Sequence, residues 1–185
     1  MSSAPATGTI PGYAAGTWKA DPAHSEIAFT VRQLMVSKVC GRFTGSDVTI
    51  VTSEDPLGSS VVATIDTASI GTGNERRDDH LRSADYFDVG KYPTMSYRST
   101  GIRRTADGWA VDGELTIRGV TRKVPLAVRA NGFGPVPSDA RRAAFSATAQ
   151  ISRRDFGIRI PMDGIGGVVG DKVSISLDIE AVLQK

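Results

Sequence analysis

The stretch DKVSISLDIEAVL (171–183) alternates apolar and polar residues without a break. Val173, Ile175, Leu177, Ile179, Ala181 and Leu183 fall on one face of an extended chain, and Lys172, Ser174, Ser176, Asp178 and Glu180 on the other. Successive side chains of a strand point to opposite faces, so this pattern predicts a strand with one dry and one wet side. The same period returns along the chain. WAVDGELTIRG (109–119) sets Trp109, Val111, Leu115 and Ile117 against Asp112, Glu114, Thr116 and Arg118. Val124, Leu126 and Val128 form another such set, as do Ile27, Phe29 and Val31, and Phe145, Ala147, Ala149 and Ile151. Clean alternation belongs to antiparallel sheets, because strands of a parallel sheet are buried on both faces and read as continuous apolar runs. The expected class is all-β.

Turn chemistry separates the strands at EDPLGSS (54–60), TADG (105–108), TIRGVTRK (116–123) and NGFGPVPSDARR (131–142). About eight strands with a single apolar face can hide it by closing into a barrel or by folding into a sandwich. The small inward residues Gly113, Ala147, Ala149 and Ala181 favour the barrel. They leave interior volume, and an eight-stranded barrel either fills its interior or holds one small ligand. Periodicity alone does not choose between the two.

Composition narrows the functional classes. The chain has 185 residues, 40% hydrophobic and 23% charged, which suits one globular domain with a real core. A net charge of +2, with basic pairs scattered over Arg76-Arg77, Arg103-Arg104, Arg122-Lys123, Arg141-Arg142 and Arg153-Arg154, gives no nucleic-acid track. These pairs read as solvated strand ends and loop corners. One cysteine, Cys40, excludes an internal disulfide and a cysteine-built zinc site, and two histidines do not make a histidine-rich metal centre. No cofactor and no metal are expected. No apolar run of about 18 residues exists to span a membrane as a helix. Residues 1–16 read as a flexible tail and 17–185 as a single domain. The first residues lack the basic and apolar regions of a secretory signal, so the expected compartment is the cytoplasm.

One segment breaks the period. NERRDDHLRSADYF (74–87) carries seven charged residues and one histidine. Thr72 and Glu75 have capping-box spacing and Asn74 is an alternative cap, which predicts a short helix over about 73–84. Arg77, His80, Leu81 and Ala84 share one of its faces. A short helix carried between strands at a barrel mouth would act as a lid. The glycine-rich DGIGGVVGD (163–171) leads into a strand and lacks dinucleotide-site spacing, so it reads as a mobile hairpin loop and a second flap over the cavity.

Trp18…Asp21-Pro22-Ala23-His24-Ser25…Phe29, LMVSKVCGRF (34–43), NERRDDHLRSADYFD (74–88), YPTMSYRS (92–99), GELTIRGVTRKVPL (113–126), RRDFGI (153–158) and VGDKVSISLDIEA (169–181) occur in that order. This ordered set resembles the YceI-like family of lipid-binding proteins. The resemblance implies an extended antiparallel lipocalin-like barrel around an apolar tunnel. Its ligand would be a polyisoprenoid or a quinone-type lipid, bound or carried rather than converted. Two positions depart from the pattern: Gln33 replaces a frequent histidine and Cys40 a frequent basic residue. Many members are also secreted to the periplasm.

A long isoprenoid tail needs an elongated apolar cavity, in which each buried CH₂ contributes about 0.8 kcal/mol. The candidate lining is Phe29, Val31, Phe43, Ile65, Leu81, Val111, Leu115, Val128, Phe145, Ala147 and Ile151. Simple core packing is the alternative role for each. The candidate polar mouth is His24, Arg77 and His80. Arg77 and His80 would meet a polar head or a phosphate, and the competing role for Arg77 with Asp78 is to tie the lid to a strand. His24 with Ser25 reads first as a structural pair at a strand start, with a ligand contact as the alternative. No catalytic residue is assigned: the chain has no G-x-S-x-G elbow, and adjacent strand residues point apart. Two alternatives stay open. One is an isoprenoid-modifying enzyme on the same barrel with His80 as acid-base group. The other is a stress-linked interaction protein with a filled barrel. Exposed strand edges or the helical lid leave room for a homodimer.

Overall fold

In the computed structural model, which describes residues 10–33, 37–135, 141–159 and 169–185, the alternating stretches are strands. In chain order they are β1 (Gly16–Ala20), β2 (Glu26–Gln33), β3 (Ser37–Phe43), β4 (Ser46–Thr52), β5 (Ser60–Asp66), β6 (Ile70–Gly71), β7 (Thr94–Thr105), β8 (Gly108–Ile117), β9 (Val120–Lys123), β10 (Leu126–Pro135), β11 (Arg141–Ser152) and β12 (Val169–Leu183). One helix, α1 (Glu75–Arg82), interrupts them. Eight strands pair in the order β1–β4–β5–β7–β8–β10–β11–β12 and return to β1, which closes an antiparallel barrel. Closure rather than a sandwich follows from β12. One of its edges pairs β11 from Lys172 to Val182; the other pairs β2 up to Asp178 and β1 from Ala181 onward.

That shared edge requires the chain to break between β1 and β2. Asp21-Pro22-Ala23-His24-Ser25 makes the break. Pro22 opens a 3-10 turn, and the Asp21 carboxylate accepts from the Ala23 N–H at 3.0 Å. Ser25 Oγ then donates to the Glu180 carbonyl and accepts its N–H, which re-seats the chain on β12. Adjacent strands bend beside it. Thr44-Gly45 separates β3 from β4, and a second Asp-capped turn at Thr67–Ser69 separates β5 from β6. Three neighbouring breaks let the sheet turn a corner, and β2, β3 and β6 extend the wall at one end of the barrel.

The two ends differ. At the aromatic end, Phe133 meets Tyr13, Trp18 and Phe145 edge-on at ring separations of 5.2–5.5 Å. Trp18 is fully buried and its Nε1 donates to Thr52 Oγ1 at 2.9 Å. The expected tail over 1–16 is therefore too long. Tyr13 packs on Phe133 and its hydroxyl donates to the Ser53 carbonyl, so the chain is held from at least that residue. At the helix end, among the described residues, β11 pairs β10 only as far as Thr148 and β9 pairs only β8. A seam is left between β9 and β11. A 3-10 turn at Arg153–Phe156 fills it and lies against β9, with Phe156 and Ile158 buried.

The helix starts at the alternative cap: Asn74 Oδ1 accepts from the Arg77 N–H at 3.0 Å. It is shorter than the expected 73–84, because Ser83 is already extended. Residues 163–168 of the expected glycine-rich loop lie outside the described residues; Val169, Gly170 and Asp171 belong to β12.

Candidate functional site

The inward faces of the barrel enclose a cavity of about 300 Å³. It runs from Tyr13, Phe133 and Phe145 at the aromatic end to Phe29, Phe43 and Phe87 at the helix end. Phe43 contacts Phe29 and Phe87 at 5.8 and 5.7 Å between ring centroids. The lining follows from strand parity. Phe29 and Val31 come from β2, Phe43 from β3, Ile65 from β5, Val111 and Leu115 from β8, Val128 from β10, and Phe145, Ala147 and Ile151 from β11. Leu81 is the contribution of α1, followed by Tyr86 and Phe87 just beyond it. All eleven positions expected to line a cavity do so.

Small residues keep the space open or seat large neighbours. Gly41 lies beneath the Phe29 ring, and Gly113 lies beneath Tyr97. The Tyr97 hydroxyl donates to the Val124 carbonyl at 2.8 Å, which holds the chain where it leaves β9 for β10. Burial, helped by the negative charge of Asp112, pushes this phenol up from 10.0 to about 12.

The three polar positions expected at the mouth lie elsewhere. Arg77 turns back on its own approach loop, with Nε donating to Thr72 Oγ1 at 2.8 Å and Nη2 to the Thr72 carbonyl at 3.1 Å. Asp78 accepts from the same Thr72 through its N–H and hydroxyl. These two residues fasten the helix, the alternative role set out for them. His80 faces solvent, its Nε2 2.9 Å from Asp85 Oδ2 and its ring edge-on to Tyr86. Its helix position puts it beside Leu81 but around the turn, away from the cavity. His24 is also on the outside, its Nδ1 2.8 Å from Asp21 Oδ2.

Asp21, His24 and Glu180 are the one group of side chains among the described residues with metal-ligand spacing. The Arg142 guanidinium supplies the positive charge there, 3.0 Å from Asp21 and 3.5 Å from Glu180. Hydrogen bonds from His24 and then Arg142 hold the Asp21 carboxyl down at about 2. The cluster braces the β1–β2 break against β11 and β12.

Of the lining residues that the sequence reading did not name, Arg153 is the charged one. Arg153 is 4% exposed and borders the cavity. Its Nε donates to the Gly170 carbonyl at 3.1 Å and its Nη1 to the Ile158 carbonyl at 2.9 Å. A buried charge must be hydrogen-bonded, and here those bonds pin the seam-filling turn to β12. The signal was available: residue 153 continues the inward parity of Phe145, Ala147, Ala149 and Ile151 by one step.

Comparison with known proteins gives a consistent result. The family model described as YceI-like domain matches residues 18–181. Protein YceI of Escherichia coli is 34% identical over 163 residues, covering 88% of this chain and 83% of that protein. Among solved structures, BcnA of Burkholderia cenocepacia superposes with a TM-score of 0.74 at 23% identity, covering 87% of this chain and 98% of that one. A polyisoprenoid binding domain from Saccharophagus degradans, implicated in plant cell wall breakdown, superposes with a TM-score of 0.69 at 15% identity, covering 90% and 98%. At these identities the two structures establish the shared barrel.

Proposed function

The chain belongs to the YceI-like family, and from that premise we propose that its barrel binds and carries a long apolar lipid of isoprenoid or quinone type without altering it. The observation that carries this reading is the cavity. It runs along the barrel interior, its lining is apolar on almost every strand, and among the described residues the one cation on it, Arg153, is engaged by backbone carbonyls. A hydrocarbon tail offers no hydrogen bonds and suits such a lining, each buried CH₂ contributing about 0.8 kcal/mol. The volume sits at the small end of the roughly 300–1,000 Å³ span of small-molecule sites. The Saccharophagus degradans domain with the same barrel is itself described as polyisoprenoid binding. His80, the acid-base group of the isoprenoid-modifying alternative, is exposed and sits against Asp85.

The test is native mass spectrometry of the purified protein, followed by organic extraction and lipid analysis. A bound isoprenoid or quinone at one per chain is the expected result. Ala147→Trp should abolish it with an unchanged far-UV spectrum, because the indole would occupy the cavity from a buried position on β11. A protein that emerges empty and takes up no member of a prenol and quinone panel would end the carrier reading.

A further inference from the structure

The fold gathers basic residues that lie far apart in the sequence. At the helix end, Lys172 of β12, Arg32 of β2 and Lys38 of β3 stand on three adjacent strands, all exposed. Arg32 and Lys38 are register partners. Arg32 also faces the irregular stretch between Val169 and Val173 that contains Lys172. All three have outward parity, because their neighbours Val31, Val39 and Val173 fall on the opposite side. On the other side of the seam, β9 carries the exposed Arg122 and Lys123 beside the 3-10 turn that holds Arg154; Arg122 is the register partner of inward Leu115, so Lys123, opposite Glu114, is the one with outward parity. Asp171 adjoins Lys172 in the chain, Asp155 adjoins Arg154, and Glu114 is the register partner of Lys123; Asp171 is engaged by Ser152 at 2.6 Å and Arg154 at 3.9 Å.

Among the described residues, Arg32, Lys38, Lys172, Arg122 and Lys123 form no ion pair. Like charges directly opposite on neighbouring strands repel, so the Arg32–Lys38 pairing is unfavourable until an anion lies over it. Strands are about 4.8 Å apart, which spreads Lys172, Arg32 and Lys38 over roughly 10 Å of one outer face. Side chains that stand side by side on a face, rather than converging on a pocket, fit a surface of anions better than a single one.

We propose that the helix end of the barrel is a docking surface for an anionic lipid bilayer, through the arc Lys172–Arg32–Lys38 with Lys123 across the seam. This rests on the lipid-carrier reading, since a carrier of an apolar lipid must meet the membrane that supplies or receives it. The arc lies at the end where the hydrogen-bonded wall is interrupted between β9 and β11. Docking there sets the seam toward the bilayer.

Vesicle flotation tests the surface with the full chain. Wild type should float with phosphatidylcholine vesicles containing phosphatidylglycerol, stay behind with phosphatidylcholine alone, and detach in high salt. Each cation removed should weaken binding about fivefold, so the double variant Lys38→Gln/Lys172→Gln should lose roughly twenty-five-fold. Arg129→Gln, a charge removal on β10, should change it little. Equal flotation with both vesicle types, equal loss in the Arg129→Gln control, or full competition by inorganic phosphate at matched ionic strength would overturn the docking surface. Lipid extraction from the same samples separates the two ideas. Bound lipid without anionic flotation leaves the carrier standing and removes the surface. Anionic flotation of a protein that holds no lipid removes the carrier and keeps the surface.

Discussion

At the residue scale, packing inside this barrel depends on where side chains are absent as much as where they are present. Gly113 permits Tyr97 to cross β8 and reach Val124. A methyl group at position 113 would meet the phenol directly and lie 2.7 Å from the Arg98 carbonyl oxygen. Gly113→Ala should therefore cost about 1–3 kcal/mol, read as a lower denaturation midpoint at an unchanged slope. The same phenol sets a pH limit. Its folded value is raised, so the unfolded chain loses the proton first as pH climbs. That contribution to stability is complete below about 10 and disappears as pH rises toward 12. Tyr97→Phe should flatten this alkaline loss in a pH series of thermal melts, and an unaltered profile would remove Tyr97 as its source. Much of this level was legible beforehand. Inward parity named strand residues of the lining from Phe29 to Ile151, because the direction of a strand side chain is decided by its own backbone. The roles of Arg77 and His80 were not legible, since a helix face says nothing about which neighbour it meets.

At the element scale, the charged segment around α1 acts as a fastened wall. Leu81, Tyr86 and Phe87 give it a dry side on the cavity. Its polar residues tie it down, Arg77 and Asp78 to Thr72 and Arg82 to the Ala68 and Ile70 carbonyls, and Arg118 of the β8–β9 turn donates to its Tyr86 carbonyl. Asp78→Ala removes two bonds to Thr72 at once and should cost about 1–2 kcal/mol. The loss should be local, with faster amide exchange over 72–83 and little change in the barrel strands. Exchange that rises evenly across the protein would show that the segment is not an independent unit. The break at Asp21–Ser25 follows a similar logic. The motif reads as a turn from sequence, but its purpose is visible only in β12, whose one edge serves two strands.

At the scale of the whole molecule, cavity and stability are linked. A ligand that binds only the folded barrel stabilises it by about 2.7 kcal/mol at a hundredfold excess over Kd. For a chain of this size that is an upshift of roughly 5–10 °C in Tm. Removing bound lipid by organic extraction or on an apolar resin should lower Tm by that amount, and adding back a prenol or quinone should restore it. An extracted protein with the same Tm as the purified one would mean that the interior is self-sufficient, as in a filled barrel.

The sequence by itself determined the strands, their two faces and the inward set from Phe29 to Ile151, because period two is written in consecutive residues and burial acts on each strand alike. Arg153 belongs to that set by the same rule. Only the tertiary structure decided closure, which depends on β12 pairing β1 as well as β11. It alone sent His24 to a brace with Asp21, which also holds Arg142, 121 positions from Asp21 in the chain. It also brought Lys172 alongside Arg32 and Lys38. Those are consequences of strand order, and strand order is set by non-local pairing that no local pattern encodes.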